Sequence, residues 1–452
     1  MFIFFIVYLI ILLAIALYVS RKQSIKGYLL NNRKTSTFLL VLSNVATYIG
    51  AGATVFVVSE MARGNLLSSL GLALGIPLSF VLFGLIAGKI RKSGTDFNTT
   101  TISDFFGIKF GRSNRILMSI LQIVSIALTI GIQVVAVSWL IAHVLGISYL
   151  LAVILLFSIS SIYSAIGGLK ADIITDAIQF FIIALLFVML GIFIQISPNF
   201  GTDIMVAFNN ISNLINNNMA LPFILLVGVM SVNLITQPTN WQLALSAQDE
   251  SSIKKSCWWA AGITLIIQMM VLFFGLYAFG TLAHLSNHDL AFFQLIQNTM
   301  PKWMAGFGFA GLLAISMSSL DSSFIAASAI ITGEFRNIKR TGTVRLFTLL
   351  FGLFVFALVM AFPSIATLGY FSVAWSLIPL PAVLIGIYNK KTSNKTIFLS
   401  ILIPMFMTLI VYPVIGFLSV CFIPLLSWLI IFIGNKCTKT LPAPTEPCAI
   451  KN

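Results

Sequence analysis

Seven residues of one apolar stretch, Ile315, Ser316, Ser318, Ser319, Asp321, Ser322 and Ser323, put a carboxylate and five hydroxyls into about two and a half helical turns. Ser318, Asp321 and Ser322 stand at i, i+3 and i+4 and therefore share one face of a helix. Hydroxyl, carboxylate and carbonyl oxygens together suit a hard cation such as sodium. Serines in membrane helices also bond their own i−4 carbonyl and allow close packing, which accounts for two or three of them but not for an aspartate in their midst. Asp176 is a second acid inside an apolar stretch, six residues past Lys170. It is either a functional carboxylate or a wet helix cap. A carboxylate inside a membrane span costs at least ~2.5 kcal/mol and must face a partner, water or an ion. Glu60 has Arg63 three residues on and reads as an ion pair at a membrane rim, and the remaining acids fall in loops or at helix ends.

Other chemistries lack their residues. His143, His284 and His288 fall at helix ends or in loops with no nucleophile nearby, and no phosphate-binding loop is present. An enzyme and an ATP-driven pump are both excluded for this chain, and no cofactor is expected beyond a coupling ion. The four cysteines form no CxxC pair, which argues against a disulfide framework or a zinc site. The net charge of +14 raises nucleic-acid binding, but the basic residues are scattered singly and in pairs between apolar segments, as expected if they fix topology.

The elements that position these residues are membrane helices. Of 452 residues 59% are apolar and 8% charged, against a charged fraction of ~25% in soluble domains. Runs of about 20 apolar residues indicate helical spans rather than the ~10-residue alternation of a barrel. Thirteen are expected, at 2–20, 36–60, 66–90, 114–144, 147–168, 171–197, 220–246, 256–284, 303–333, 343–362, 364–388, 394–416 and 418–434. With the N-terminus outside and the C-terminus cytoplasmic, the inward segments hold 24 of the 26 Lys and Arg, leaving Arg63 and Lys302 outside. Twelve spans in that register, or the opposite orientation, violate the positive-inside rule. The first run lacks a basic leader and carries Arg21 and Lys22 after it, so it reads as a span rather than a cleaved signal.

Setting aside the first span and the last two leaves ten. The first five begin inside and the second five outside, an inverted repeat of five plus five. Two long connections, 91–113 with an amphipathic Ile102, Phe105, Phe106 and Phe110, and 285–302, match across the halves. The lead helix of each half is interrupted, by Gly50-Ala51-Gly52 and by Gln237-Pro238-Thr239. A break at membrane depth frees carbonyls and amides and is tolerated where they face a cavity or a ligand. The expected organisation is an all-α membrane protein with an N-terminal helix and loop (1–35), the two repeats (36–197 and 220–388), two C-terminal helices (389–434) and a tail (435–452).

The residues resemble the sodium:solute symporter family. GGLKADIITDAIQ (167–179) is similar to its "GG…A…TD…Q" motif, MSSLDSSFIAAS (317–328) to its "MSS…DS…A.S" motif, and the segments Ala46 to Gly52 and Thr236 to Thr239 to its two lead-helix breaks. The resemblance implies the five-plus-five fold of the leucine transporter. It implies one sodium held by the carbonyls of Ala46, Ile49 and Ile315 and the hydroxyls of Ser318 and Ser319. A second sodium is implied at Asp176 with Ser318 and Ser322, with Asp321 in the same neighbourhood. Solute is implied between the breaks, near Tyr48, Ala53, Gln133, Gln237 and Trp241. The chain departs from the proline branch, which has an aspartate where Tyr48 stands, a histidine where Thr239 stands and an arginine near Gln242 or Leu243. It also departs from the sialic acid branch, since no arginine occurs between Ile116 and Val144.

The expectation is a multi-pass protein of a bacterial plasma membrane, a monomer or weak oligomer in the lipid bilayer, that couples sodium entry to uptake of a small organic solute. The rivals are a proton-coupled carrier on the same fold, with Asp176 or Asp321 titrating, and a sensor or channel-like relative. The roughly 18 residues after Asn435 are too few for a signalling domain.

Overall fold

Long apolar sequences with few charges can satisfy their backbone only within themselves once water is absent, and a helix occupies each of the thirteen expected stretches. The structure, a computed structural model, describes residues 2–20, 24–214, 220–282, 285, 287–335, 341–361, 365–415 and 419–438. The first half of the chain contains α1 (Phe2–Val19), α2 (Ile25–Leu30), α3 (Thr37–Tyr48), α4 (Val55–Ala62), α5 (Leu66–Asp96), α6 (Ile102–Phe110), α7 (Arg112–Leu145), α8 (Tyr149–Gln195) and α9 (Phe200–Leu214). The second contains α10 (Ala220–Val232), α11 (Pro238–Ser246), α12 (Glu250–Thr281), α13 (Ala291–Thr299), α14 (Lys302–Glu334), α15 (Thr341–Ala361), α16 (Ile365–Ser376), α17 (Leu380–Ile387), α18 (Asn394–Ile415) and α19 (Ser419–Thr438). Among the described residues there is no strand, and eight helices are long and apolar enough to cross a membrane, or nine if one bent pair counts as a single span.

Both lead helices are broken. After Tyr48 the chain leaves the helix and re-enters it at Val55. The groups freed there find local partners: the Thr54 hydroxyl donates to the Ile49 carbonyl at 2.6 Å, and the Ala51 N–H donates to Gln133 Oε1 at 2.7 Å. In the second half a short 3-10 turn, Asn233–Ile235, follows α10, and Pro238 opens α11 as its first residue with the axis turned by 43°. Proline suits that position because the N–H it lacks has no helical acceptor. The Trp241 indole and the Gln122 amide donate to the carbonyls of Ile235 and Thr236 at 2.9 and 3.2 Å.

The 47-residue α8 is about 70 Å long at 1.5 Å per residue, too long for one ~30 Å crossing, and it turns at Gly168 (φ 65°, ψ −179°). That backbone region is essentially open to glycine alone. A Cβ at Gly168 would also sit 2.6 Å from the Tyr28 ring. The Tyr28 hydroxyl donates to the Ser164 and Ala165 carbonyls at 3.0 and 3.2 Å, and Arg345 donates to that of Ile166 at 3.3 Å, so carbonyls at the turn are capped. A third interruption, Leu377–Pro379 between α16 and α17, falls where the sequence reads as one span of 364–388. Pro379 and Pro381 withdraw two N–H groups there.

α14 packs on α8, α7 and α3, and α3 packs on α8 and α12, so the serine-rich helix and the first lead helix meet against α8. At one end of the molecule the two lead helices are tied together. Thr35, just before α3, pairs with Ala247, just after α11, in a single parallel bridge whose bonds run from Thr35 N–H to Ser246 O (3.1 Å) and from Gln248 N–H to Thr35 O (3.0 Å). Arg91 Nε donates to the Ala247 carbonyl at 2.6 Å. α6, with Ile102, Phe105, Phe106 and Phe110 buried, carries a capping box from Thr101 and Asp104.

Tyr28→Phe leaves two buried carbonyls without their donor, and a loss of about 1–3 kcal/mol is expected. Gly168→Ala should lower the melting temperature of detergent-purified protein further, because strain and overlap add. A thermal unfolding curve of either variant that matches the parent would show that the turn is not held this way.

Candidate ion and solute site

Asp176 lies on α8 with no solvent exposure. Its Oδ1 accepts from the Ser318 hydroxyl of α14 at 2.6 Å, and its Oδ2 accepts from Ser43 and, at 3.5 Å, from Thr47, both of α3. One turn earlier on α8, Asp172 accepts from Ser322 at 2.9 Å, and Ser322 lies 3.3 Å from the Thr47 hydroxyl. Asp321 accepts from Ser164 at 2.9 Å. Asp172 Oδ1 and Asp321 Oδ2 are buried without a hydrogen-bond partner. The i, i+4 spacing of Asp172 and Asp176 meets the i, i+4 spacing of Ser322 and Ser318 on α14, a two-rung ladder between helices.

Among the described residues no basic side chain forms an ion pair with this group. The ion pairs among the described residues join Arg63 to Glu60 and Asp289, and Arg115 to Asp104 and Glu334, all elsewhere. Among the described residues no three His, Cys, Asp or Glu side chains are arranged to hold a metal ion. The donor set that converges here is instead carboxylate and hydroxyl, which suits a hard monovalent cation.

Beside the cluster is a cavity of about 150 Å³ lined from both breaks: Thr47, Tyr48, Gly50, Gly52 and Ala53 from the first, Asn233, Gln237, Pro238 and Thr239 from the second, and Gln133, Ser319 and Ser323 from α7 and α14. Phe56, Leu72, Ile76, Ile132, Leu226, Met230 and Tyr370 supply apolar walls. Ser319 donates to the Thr47 carbonyl at 2.5 Å, and Thr47, whose hydroxyl is bonded to Asp176, belongs to cavity and cluster at once.

The expected residues distribute as follows. Ala46, Ile49 and Ile315 are fully buried, Ile49 with its carbonyl taken by Thr54. Ser318, Ser322 and Asp176 meet in the ladder, while Asp321 turns to Ser164 on α8. Tyr48, Ala53, Gln133 and Gln237 line the cavity. Trp241 does not: its indole is bonded to Ile235 and its ring packs 5.2 Å from that of Phe105. Asp172, one of the acids that the sequence places in loops or at helix ends, is 1% exposed. Its position four residues before Asp176, on the same helix face, is the signal that marks it. Ser43, Thr47, Ser164 and Asn233 carried no such mark.

Two broken helices that border one cavity, inside a bundle of apolar helices, are the arrangement of a multi-pass membrane transporter. The chain belongs to the sodium:solute symporter family, which it matches over residues 28–403. It is 22% identical to the sodium/pantothenate symporter of Haemophilus influenzae over 334 residues, 71% of this chain and 68% of that one. It is 25% identical to the sodium/proline symporter of Escherichia coli over 332 residues, 69% of this chain and 65% of that one. Among solved structures, a sodium-coupled sialic acid symporter in a substrate-bound outward-open state superposes with a TM-score of 0.75 at 16% identity, covering 98% of both chains. A nucleobase-cation-symport-1 transporter in a closed conformation superposes at 0.59 with 12% identity, covering 93% of this chain and 96% of that one.

A Cβ at Gly50 would overlap the Ser319 hydroxyl and stand 3.0 Å from Gln133 Nε2. Gly50→Ala should therefore push α14 and the first break apart. Sodium-dependent stabilisation of the purified protein is expected to disappear while its helical circular dichroism is kept. Retained sodium response would place the break elsewhere than against Ser319.

Proposed function

We propose that this protein carries a small organic solute into the cell together with sodium, by alternating access in a bacterial plasma membrane, with the N-terminus outside and the C-terminus cytoplasmic. The observation that carries the reading is the double membership of Thr47: it lines the cavity, its hydroxyl is bonded to Asp176 and lies 3.3 Å from that of Ser322, and Ser319, also on the cavity, donates to its carbonyl. Ion and solute are then neighbours that share side chains, which is what coupling requires. In this reading the carbonyls of Ala46, Ile49 and Ile315 and the hydroxyls of Ser318 and Ser319 hold one sodium. Asp176, Ser318 and Ser322, with Asp321 alongside, hold a second. Solute occupies the cavity near Tyr48, Ala53, Gln133 and Gln237.

Thirteen crossings in an inverted five-plus-five arrangement, with one extra helix before and two after, also belong to the proposal. What supports the count is that α8 is long enough for two crossings and each broken lead helix serves as one. α6 and α13, short helices at corresponding places in the two halves, support the inversion. One sodium moving through ~100 mV releases ~2.3 kcal/mol, and a tenfold gradient adds ~1.4 kcal/mol. Together these sustain an accumulation of about five hundredfold.

Alternating access requires the tie between Thr35 and Ala247 to open on the side that releases solute. Sodium at Asp176 and Ser318 would hold α3 against α8 and α14 and complete the cavity wall, and its departure would let the lead helices swing.

Ser318→Ala is expected to raise the sodium concentration for half-maximal uptake several-fold in membrane vesicles, with normal insertion. Asp176→Asn should abolish sodium-driven uptake, with partial rescue by Asp176→Glu. Asn that transports as well as the parent makes Asp176 a structural acceptor. Uptake that persists when a larger inert cation replaces sodium at constant pH would point to proton coupling instead.

A further inference from the structure

Among the described residues the walls of the cavity contain no Asp, Glu, Lys, Arg or His. A monovalent organic ion entering it would give up water with no side chain of opposite charge to replace it, whereas neutral polar groups are repaid by single hydrogen bonds and the two ends of a dipolar molecule can each meet a helix end of opposite partial charge. The polar side chains on offer are all neutral, hydroxyls such as Thr47, Thr239, Ser319 and Ser323 and three amides. Gln133 accepts from the Ala51 N–H with its oxygen, which leaves its NH2 group to donate. Gln237 donates to Asn233 Oδ1 at 2.7 Å, which leaves the Gln237 oxygen and the Asn233 NH2 group. The backbone adds a direction. α3 ends at Tyr48 and α11 begins at Pro238, both on the cavity, so a helix C-terminus and a helix N-terminus present partial charges of opposite sign to the same space.

We propose that the transported solute carries no net charge and is dipolar: a zwitterion or a neutral amide-like molecule, with its electronegative end toward the start of α11, its donor end toward the end of α3, and an apolar body against Phe56, Leu72 and Met230. The volume, about 150 Å³, is one that elsewhere accepts a benzene-sized molecule. The inference rests on the cavity being the solute site.

The test uses the purified full-length protein and solutes that share a skeleton and differ in charge. These are isovaleramide, isovalerate and isoamylamine, then benzamide, benzoate and benzylamine, with leucine and phenylalanine as zwitterions. Each is added to a thermal unfolding assay in sodium chloride and again in choline chloride. Uncharged or zwitterionic members are expected to raise the melting temperature by several degrees, and the acids and amines to leave it unchanged. A carboxylate or an amine that stabilises as well as its amide counterpart overturns the proposal, and if its effect needs sodium, sodium coupling still stands. Stabilisation by amides or zwitterions that is equal in choline keeps the proposal and removes sodium coupling. Gln133→Glu keeps the acceptor for Ala51 and replaces the donor with a negative charge. It should weaken the binding of the best uncharged solute at least tenfold and let the matching amine bind. Unchanged affinity in this variant also overturns the proposal.

Discussion

Asp176 is a carboxylate with no solvent exposure, held among the described residues by hydroxyls from two other helices and by no basic side chain, and the inner architecture is arranged around keeping it there. A serine or threonine hydroxyl donates one proton and offers two lone pairs, and it rotates freely. The groups that donate to Asp176 can therefore turn and present oxygen to a cation without moving the backbone. That property explains why the cluster is built of Ser43, Thr47 and Ser318 rather than of Lys or Arg. A fixed ammonium or guanidinium would neutralise the acid permanently. It also explains why three helices meet so closely: the hydroxyls are short, and α3, α8 and α14 must approach within their reach.

The breaks follow from the same scarcity of water. A helix interrupted inside an apolar bundle exposes backbone groups that must be satisfied by protein, and each break here recruits side chains from a neighbour or from its own next turn. Gln133 and Thr54 serve the first, Gln122 and Trp241 the second, Tyr28 and Arg345 the turn at Gly168. The cavity is the space that these repairs leave open. The amides on its wall are half committed: Gln133 holds the Ala51 N–H through its oxygen, and Gln237 holds Asn233 through its nitrogen.

The sequence shows these features unequally. Glycine and proline clusters announced the two lead-helix breaks, because few other residues end a helix at membrane depth, and the i, i+3, i+4 pattern announced the polar face of α14. Asp172 was hidden by Lys170, whose charge makes its surroundings read as a membrane surface, although α8 turns at Gly168 and carries Asp172 inside. Trp241 was misleading for the opposite reason. It sits beside a break, as a solute contact would, but its single N–H is used to cap Ile235 and its ring fills the core. The interruption at Leu377–Pro379 was legible in Pro379 and Pro381, yet apolar residues on both sides masked it.

The bridge between Thr35 and Ala247 is made by backbone atoms, and side chains only reinforce it. A fastening of that kind is indifferent to which residues occupy its positions, provided that neither Thr35 nor Gln248, the two donors, becomes proline. It also reports on itself. The amide protons of Thr35 and Gln248 are bonded while the lead helices are joined, so their exchange with heavy water would count any opening of this one joint, independently of any cargo.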